Sequence, residues 1–196
     1  MTLETLLSLS LFAFVTAMTP GPNNLMLLAS GVNFGFRRTL PHMAGIAGGF
    51  AALMIAVGAG IGAMVALYPG LHLGLKLAGA VYLLFLAWKI ASAAPGGQDT
   101  GAVARPLSLL QAAAFQWVNP KGWVMAISAF AIYGSPRVGT ILLIVAIFFV
   151  TSIISVASWA AFGSALRNFL ADPARLKWFN IAMGVLLVAS VGPMVL

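Results

Sequence analysis

The chain contains no cysteine and very few charged residues. Asp, Glu, Lys and Arg together make up 7% of its 196 positions, and only 3 of these residues are acidic. Without cysteine the protein has no disulfide, no thiolate metal site and no cysteine nucleophile. The acids Glu4, Asp99 and Asp172 are far apart and form no carboxylate pair for acid–base catalysis or metal binding. We therefore expect no enzyme activity, no metal and no cofactor.

What the chain has in abundance is apolar sequence. Hydrophobic residues account for 62% of positions and the mean hydropathy is +1.06, whereas a soluble domain carries about 25% charged residues. His42 is the only ionisable side chain in the segment Leu40–Leu67, and the segment Val138–Leu166 has none. Both segments exceed the roughly 20 residues that cross the ~30 Å hydrocarbon core of a bilayer. The composition predicts an all-α integral membrane protein in contact with lipid.

Six membrane spans fit the distribution of apolar residues. Glycine and proline mark the turns, and the N-terminal segment is read as the first span because it lacks the basic start of a signal peptide. Residues 93–106 are rich in glycine and polar residues, so we expect a cytoplasmic linker between one repeat at 1–92 and a second at 107–196. The predicted spans are Leu6–Val32, Leu40–Leu67, Leu71–Ile90, Leu107–Tyr133, Val138–Leu166 and Lys177–Val195.

Each half begins with a span that contains a proline break. The first break covers Thr19–Asn24 and the second covers Gln116–Lys121. A membrane helix tolerates a break only where protein or a water-filled cavity covers the freed backbone groups, and matched breaks point to the binding site of a transporter. Three spans per half place the halves in opposite orientations, which predicts two inverted three-helix repeats. The alternative is a coincidence of two ordinary proline kinks.

The breaks have the form of two helix starts. Thr19 and Asn119 each precede a proline, as an N-cap precedes proline at the first helical position. The positive N-terminal ends of two antiparallel half-helices would then face each other and attract a carboxylate. We expect freed carbonyls at residues 16–18 and 116–118 to accept hydrogen bonds from an ammonium group. An amino acid carries both groups.

Polar side chains accompany both breaks. Unpaired amides are costly in hydrocarbon, so the four amides of this group must face one another, a cavity or a ligand. Interhelical hydrogen bonding without a ligand is the alternative. Lys121 lies roughly 20 Å into its span and is expected to bind a substrate carboxylate or to release a proton during coupling, unless it snorkels to the interface. The candidate substrate-binding residues are Thr19, Pro20, Gly21, Pro22, Asn23, Asn24, Gln116, Asn119, Pro120 and Lys121.

The net charge of +7 reflects the loops rather than a nucleic-acid surface. The basic residues form no stripe with interleaved aromatics, so we expect no nucleic-acid partner. Seven Lys and Arg lie around the loops after spans one, three and five, and two lie near the loops after spans two and four. The excess of positive charge marks the cytoplasmic side, which places both termini outside. His42 and His72 are near span ends, where we expect interfacial positions.

Two glycine clusters, at residues 45–49 and 58–62, have the spacing of close helix contacts. Small residues let two helix backbones approach, which favours association inside a bilayer. We expect the clusters to pack helices within the bundle or to join the protomers of a homodimer.

The chain resembles the LysE/RhtB superfamily of bacterial amino acid exporters. The stretch Thr19–Asn23, followed by Gly35–Arg37, resembles the first signature of that family, and Asn119–Lys121 resembles the second. The similarity covers the whole chain, including its length and its glycine-rich midpoint. The resemblance implies a multi-pass protein of the bacterial inner membrane that couples export to protons.

The second span departs from one branch of that family. Lysine and arginine exporters resemble each other in having an aspartate there, where this chain has Gly49 and Phe50. Without an acid in any predicted span, a cationic side chain lacks its counter-ion, and the chain looks closer to the cysteine/O-acetylserine exporter branch. The resemblance therefore implies a secondary transporter that exports neutral amino acids or derivatives. A channel-like or lipid-handling protein and an exporter of basic amino acids are the alternatives.

Overall fold

Helix is the only regular structure in the described part of the chain. The computed structural model of the protein describes residues 1–62, 67–93 and 105–192. The helices delimited in these ranges are α1 (Leu3–Met18), α2 (Pro22–Phe34), α3 (Phe36–Gly58), α4 (Pro69–Ala91), α5 (Leu109–Gln116), α6 (Pro120–Tyr133), α7 (Val138–Leu166) and α8 (Pro173–Ala189).

Several of these helices meet the requirements of membrane spans. Helices α3, α4 and α7 are long and apolar enough to cross a bilayer alone, and α1 with α2 makes a fourth such stretch, bent by 54°. The pair α5 and α6, with 8 and 14 residues, and α8, with 17 residues, occupy the positions of the fourth and sixth predicted spans. The prediction of an all-helical membrane protein is confirmed, while the count of six spans stays a prediction.

The predicted span limits agree with the helices at some ends and not at others. The fifth span has the predicted limits, Val138–Leu166. The second was predicted to continue to Leu67, but α3 ends at Gly58. The chain turns there, and Gly60 adopts a φ of 106°, a conformation that follows helix ends and favours glycine. Residues 63–66 of that predicted span lie outside the described residues.

Helix α8 begins earlier than predicted. Asp172 accepts a hydrogen bond from the backbone N–H of Arg175 at 2.9 Å and caps the helix, and Pro173 fills its first position. The predicted start at Lys177 is therefore wrong by one helical turn. Most of the predicted linker and the end of the predicted sixth span fall on residues 94–104 and 193–196, outside the described part of the chain.

The two halves of the chain interleave. Helix α2 packs along α7 and α6 packs against α3, while α1 contacts α7 and α5 contacts α3. Helix α4 packs on α8, and α3 packs on α7. The buried apolar residues form three clusters, each drawing on helices of both halves. The core therefore lies between the halves rather than within either of them.

Helix α2 is joined to the second half at both of its ends. Near its start, Asn23 Nδ2 donates to Gln116 Oε1 at 2.8 Å, and Gln116 Nε2 donates back to Asn23 Oδ1 at 3.1 Å. Near its end, Asn33 and Asn180 exchange hydrogen bonds in the same way, at 2.9 Å and 3.3 Å. Between these pairs, Gly31 lies so close to the α7 backbone that a Cβ would overlap it.

Glycines let α3 approach α5. A Cβ at Gly45 would overlap the carbonyl of Leu109, and a Cβ at Gly49 would lie 2.6 Å from the Cα of Ala113. At Gly48, on another side of the helix, a Cβ would meet no atom within 4 Å. The close contact predicted for this glycine cluster is therefore confirmed inside the bundle.

Candidate functional site

Both predicted breaks are present in the fold. Helix α1 ends at Met18 and α2 begins at Pro22, while α5 ends at Gln116 and α6 begins at Pro120. The first break changes the direction of the chain by 54°. Each break turns one apolar stretch into two half-helices, as the sequence predicts.

The first break is capped differently from the prediction. Thr19 closes α1 instead of starting α2, because its backbone N–H and its Oγ1 both donate to the carbonyl of Val15, at 3.0 Å and 2.6 Å. A residue before proline avoids the helical region of φ/ψ space, and Gly21 is fully extended. A short extended segment therefore separates the two helices. Gly21 is the N-cap, and Pro22 rather than Pro20 holds the first helical position. The prediction of Thr19 as an N-cap is wrong.

The second break starts a helix as predicted, but the capping side chain is used elsewhere. Asn119 is the N-cap of α6 and Pro120 follows at the first position. Asn119 makes no capping hydrogen bond, and its Nδ2 donates instead to Gln116 Oε1 at 3.4 Å. The start of α2 also has no side-chain cap, since its N-cap is Gly21. Both helix starts therefore keep backbone N–H groups and the positive dipole end available to an anion.

Three of the four predicted amides form one network across the two breaks. Gln116 is its centre, because it pairs with Asn23, accepts from Asn119 and donates to the carbonyl of Ala112 at 3.0 Å. Gln116 and Asn119 are almost completely buried, and Asn23 is half-buried. The structure thus brings these residues together as predicted, and hydrogen bonding between helices is part of what they do.

The fourth amide, Asn24, holds the end of α1. Its Nδ2 donates to the carbonyls of Ala17 and Thr19, at 2.8 Å and 2.9 Å. Ser155 Oγ, from α7, donates to the same Ala17 carbonyl at 2.7 Å. The prediction that this carbonyl is left for an ammonium group is therefore wrong, because side chains of the protein already satisfy it. Sequence reasoning missed Ser155, which is one of four serines in α7 and has no local signal that distinguishes it from the others.

The carbonyls of the second break also have partners inside the protein. The carbonyl of Trp117 accepts a hydrogen bond from the indole Nε1 of Trp123 at 2.8 Å. The carbonyl of Gln116 accepts from the backbone N–H of Asn119 at 3.4 Å. Neither carbonyl depends on a ligand, which corrects the prediction for both residues.

Lys121 lies across the first break. Its Nζ donates to the carbonyl of Thr19 at 2.5 Å, and the side chain is half-buried. The stem passes over Gly21, where an added Cβ would come within 2.7 Å of Lys121 Cδ. A snorkelling lysine extends towards the membrane interface, whereas this lysine binds the backbone of the opposite half.

A pocket with about 450 Å³ of empty space, part of it open to solvent, lies between the two breaks and is called the central cavity. Helices of both halves contribute to its wall, so that neither half encloses it alone. The candidate residues that line it are Gly21, Asn23, Asn24, Gln116, Asn119 and Lys121.

The remaining four candidates do not line the central cavity. Thr19 and Pro20 are exposed, and Pro22 and Pro120 hold the first positions of the half-helices. Their contribution is to the backbone path rather than to the wall. Phe50, Thr16 and Ala17, which the sequence had singled out for other reasons, also line the central cavity. The wall residues that sequence reasoning missed are Ile46, Gly122, Met125, Ser152, Ser155 and Val156.

Asn119 brings an unused acceptor to the central cavity. Its side chain is 2% exposed, and its Oδ1 has no hydrogen-bond partner within residues 1–62, 67–93 and 105–192. A buried oxygen without a partner costs about 1–3 kcal/mol. Such a group marks a place where a ligand or a water molecule binds.

His42 is enclosed by the protein. It follows the start of α3 at Phe36 by more than one turn, and its side chain is 2% exposed. It lines a second cavity, which α2 and α4 also border. Its interfacial position in the membrane stays a prediction, and the side chain of His72 lies outside what the structure describes.

Comparison with known sequences gives one family. The profile of the LysE type translocators matches residues 14–192, nearly the whole chain. The chain belongs to the LysE family. It is therefore a multi-pass membrane translocator and not an enzyme.

Relatives of this LysE chain carry a more specific name. The cysteine/O-acetylserine efflux protein of Escherichia coli (strain K12) is 33% identical over 182 residues, which cover 90% of both chains. The protein of the same name from Shigella sonnei (strain Ss046) shows the same identity and coverage. The resemblance to the LysE/RhtB superfamily and to its cysteine/O-acetylserine branch is confirmed. No solved structure matches the chain.

Proposed function

We propose that this LysE protein is a secondary transporter that exports neutral amino acids, or small derivatives of them, from the cytoplasm. The observation that carries the proposal is the central cavity, where two uncapped helix starts, a lysine and an unpartnered amide oxygen surround one space. An amino acid presents the complementary groups, a carboxylate and an ammonium, on a single carbon atom.

The carboxylate fits the positive side of the cavity. The starts of α2 and α6 offer backbone N–H groups and the positive ends of two helix dipoles. Lys121 adds a full positive charge beside the first of them. Hydrogen bonds to charged groups are about twice as strong as neutral ones. A bound carboxylate would compete with the Thr19 carbonyl for the lysine, which links binding to the first break.

The ammonium group fits Asn119. The hydrogen bond from Asn119 Nδ2 to Gln116 fixes the orientation of the amide, so that Oδ1 remains as the acceptor. Because Asn119 lies on the second half and Lys121 reaches the first break, the two ends of one amino acid would contact both halves.

The rest of the wall favours an uncharged substrate side chain. Phe50, Met125 and Val156 are apolar wall residues, and Ser152 adds a neutral hydroxyl. No Asp or Glu of the part of the chain that the structure describes lines the cavity, so a lysine or arginine substrate would have no counter-ion there. The relatives are named for the efflux of cysteine and O-acetylserine, which both have small uncharged side chains.

The arrangement of helices supports two inverted repeats. The contact of α2 with α7 has a counterpart in that of α6 with α3, and the contact of α1 with α7 has one in that of α5 with α3. In such folds the substrate site is exposed alternately by movement of one repeat against the other. Coupling to protons follows from the LysE/RhtB resemblance, with Lys121 either binding the carboxylate or carrying the proton.

The distribution of Lys and Arg supports an orientation with both termini outside, and the LysE/RhtB resemblance implies the bacterial inner membrane. A reporter enzyme fused after Leu196 tests this orientation. A reporter that works only in the periplasm should be active, and one that works only in the cytoplasm should be silent. The reverse pattern would refute the orientation.

Efflux from cells that overproduce the protein tests the substrate class. Cells loaded with each common amino acid, and with O-acetylserine, should lose the small neutral ones faster than cells with an empty vector. They should also tolerate toxic analogues of those amino acids. Efflux of lysine and arginine alone would contradict the neutral class, and an unchanged panel would contradict export.

Two variants test the site within the same assay. Lys121→Ala and Asn119→Ala should each lower export at least about tenfold, since a hydrogen bond to a charged group contributes about 1.5–3 kcal/mol. Both should still insert into the membrane. Lys177→Ala, which removes an exposed lysine of α8, is the matched control and should export normally. Wild-type export by both cavity variants would remove the site assignment.

Flux into liposomes separates a carrier from a channel. A carrier shows a rate that saturates with substrate concentration and responds to an imposed gradient. A rate that rises linearly without saturation would favour a channel instead.

A further inference from the structure

The second cavity, called the His42 cavity, lies between α2, α3, α4 and the segment that precedes α5. Its empty space, about 480 Å³ with the part open to solvent, is similar to that of the central cavity. Most of its wall is apolar, including Met26, Leu86 and Ile90. An apolar cavity with a few convergent polar groups is the usual form of a small-molecule site.

His42 is the polar group with no other role in the fold. The side chain is 2% exposed, and neither ring nitrogen has a hydrogen-bond partner among the residues that the structure describes. A neutral imidazole always presents one donor and one acceptor, and burying both unpaired is unfavourable. Since it lines the cavity, the ring is available to a molecule that enters there.

Two charged groups of the described residues line this cavity, and both are cations. Lys89, from the last turn of α4, and Arg105, from the segment before α5, contribute to its wall. No Asp or Glu of residues 1–62, 67–93 and 105–192 lines it. The hydroxyl of Ser30 already has a partner inside the protein, because it is hydrogen-bonded to the hydroxyl of Thr39 at 2.9 Å. A donor nitrogen with two cations beside it selects a ligand with a carboxylate.

The His42 cavity and the central cavity lie in series along the same helices. On α3, His42 lines one and Ile46 lines the other, about 6 Å further along the axis at the helical rise. Ile46 belongs with Met43 on α3 and Ala112 on α5 to one buried apolar cluster. The two cavities are therefore neighbours along α3, with apolar residues between them.

We propose that the His42 cavity is a second carboxylate-binding site, where the amino acid is taken up from the cytoplasm before it passes to the central cavity. The identity of the ligand and the direction of passage rest on the proposed function. The His42 N–H binds the carboxylate, Lys89 and Arg105 attract it, and the apolar wall receives the rest of the molecule. The cavity adjoins the basic loops that mark the predicted cytoplasmic side.

Nuclear magnetic resonance of the histidine rings tests binding directly. The chain has two histidines, so the His42 signals are assigned by their loss in His42→Gln. The full-length protein, with ¹⁵N-labelled histidine, is placed in nanodiscs of phosphatidylcholine alone and titrated with sodium acetate or O-acetylserine. Ethylammonium chloride, which lacks a carboxylate, is the control. Both carboxylates should shift the His42 signals saturably, also in Lys121→Ala, and ethylammonium should not.

Other outcomes of the titration overturn the proposal. No saturable shift with either carboxylate would show that the ring does not meet the ligand. A shift with ethylammonium would show that the cavity does not select an anion. A shift that appears only when phosphatidylglycerol is added would assign the cavity to an anionic lipid headgroup.

Kinetics in inside-out vesicles test the uptake role, because the cytoplasmic face is then exposed to the medium. His42→Gln should raise the KM for O-acetylserine about tenfold and change kcat by less than about twofold, because the central cavity is intact. Lys121→Ala should instead lower kcat. An unchanged KM in His42→Gln would overturn the uptake role.

The experiments can refute the export function and the second binding site independently of each other. If acetate shifts the His42 signals but no amino acid is exported, the second site stands and the export function fails. If amino acids are exported and the His42 signals do not respond, the export function stands and the second site fails.

Discussion

The position of the Lys121 ammonium group depends on the absence of a Cβ at Gly21. Its Nζ is bonded to the Thr19 carbonyl and its stem lies on Gly21, which has no Cβ to push it away. The extended backbone of Gly21 is open to every residue type, so glycine is needed here for close approach and not for conformation. The position of the ammonium group in the central cavity therefore depends on the residue beneath its stem.

Gly21→Ala should impair export without unfolding the protein. The new Cβ would displace Lys121 Cδ, which belongs to a flexible side chain, so the fold can adjust while the ammonium group moves. A displacement of about 1 Å at a binding group costs up to about a hundredfold in rate, and we expect a loss of ten- to a hundredfold in export. Export is measured in overproducing cells, and membrane insertion by immunoblot.

Gly74→Ala on α4 is the control, since a Cβ there meets no atom within 4 Å. It should export as the wild type does. Wild-type export by Gly21→Ala as well would show that the lysine has no required position.

Asn119 and Thr19 show how much of the geometry at a helix start can be predicted from local sequence. The same pattern, a capping residue before proline, correctly predicts the start of α6 and wrongly predicts the start of α2. The difference is local, because the Pro-Gly-Pro sequence after Thr19 delays the next helix. The direction of the Asn119 amide cannot be predicted locally, because its partner Gln116 is itself hydrogen-bonded to Asn23 of α2.

At the scale of elements, a side chain from a distant helix helps to stabilise the first break. Proline predicts that the helix must stop, and both breaks are where the sequence places them. The freed carbonyl of Ala17 accepts from the nearby Asn24 and also from Ser155, which lies 138 positions further along the chain. No local pattern could reveal the contact with Ser155, so the break is predictable and only part of what stabilises it is.

The contact of α3 with α5 gives a matched pair of variants. Gly49→Ala would press a Cβ against the backbone at Ala113, and overpacking of this kind costs about 1–3 kcal/mol. Gly48→Ala adds the same methyl group where nothing lies within 4 Å, and alanine favours helix over glycine. We expect a lower unfolding temperature in detergent for Gly49→Ala and no loss for Gly48→Ala. Equal losses would contradict the close contact.

At the scale of the whole molecule, the central cavity belongs to neither half alone. Its wall combines residues from the first break with residues from the second. The spans could be predicted because long apolar segments have few alternatives in a membrane protein. The interleaving of α2 with α7 and of α3 with α5 could not, because it depends on contacts between distant segments.

A ligand shared by both halves should stabilise the folded protein. A neutral substrate at a hundred times its dissociation constant adds about 2.7 kcal/mol to the free energy of unfolding. We expect the unfolding temperature of the detergent-solubilised protein to rise with such an amino acid and to stay unchanged with lysine. Lys121→Ala should abolish the rise. Equal stabilisation by lysine would contradict the uncharged wall.

Helix α2 belongs to the first half by sequence and to the second half by contact. Asn23 and Asn33 bind amides of α5 and α8, and Gly31 lies against α7. In return, α6 binds the first half through Lys121 and contacts α3. Each half of the chain thus gives one half-helix to the packing of the other, so residues 1–92 and 107–196 do not pack as two separate bodies. A substitution in either half-helix is therefore expected to disturb the half of the chain that does not contain it.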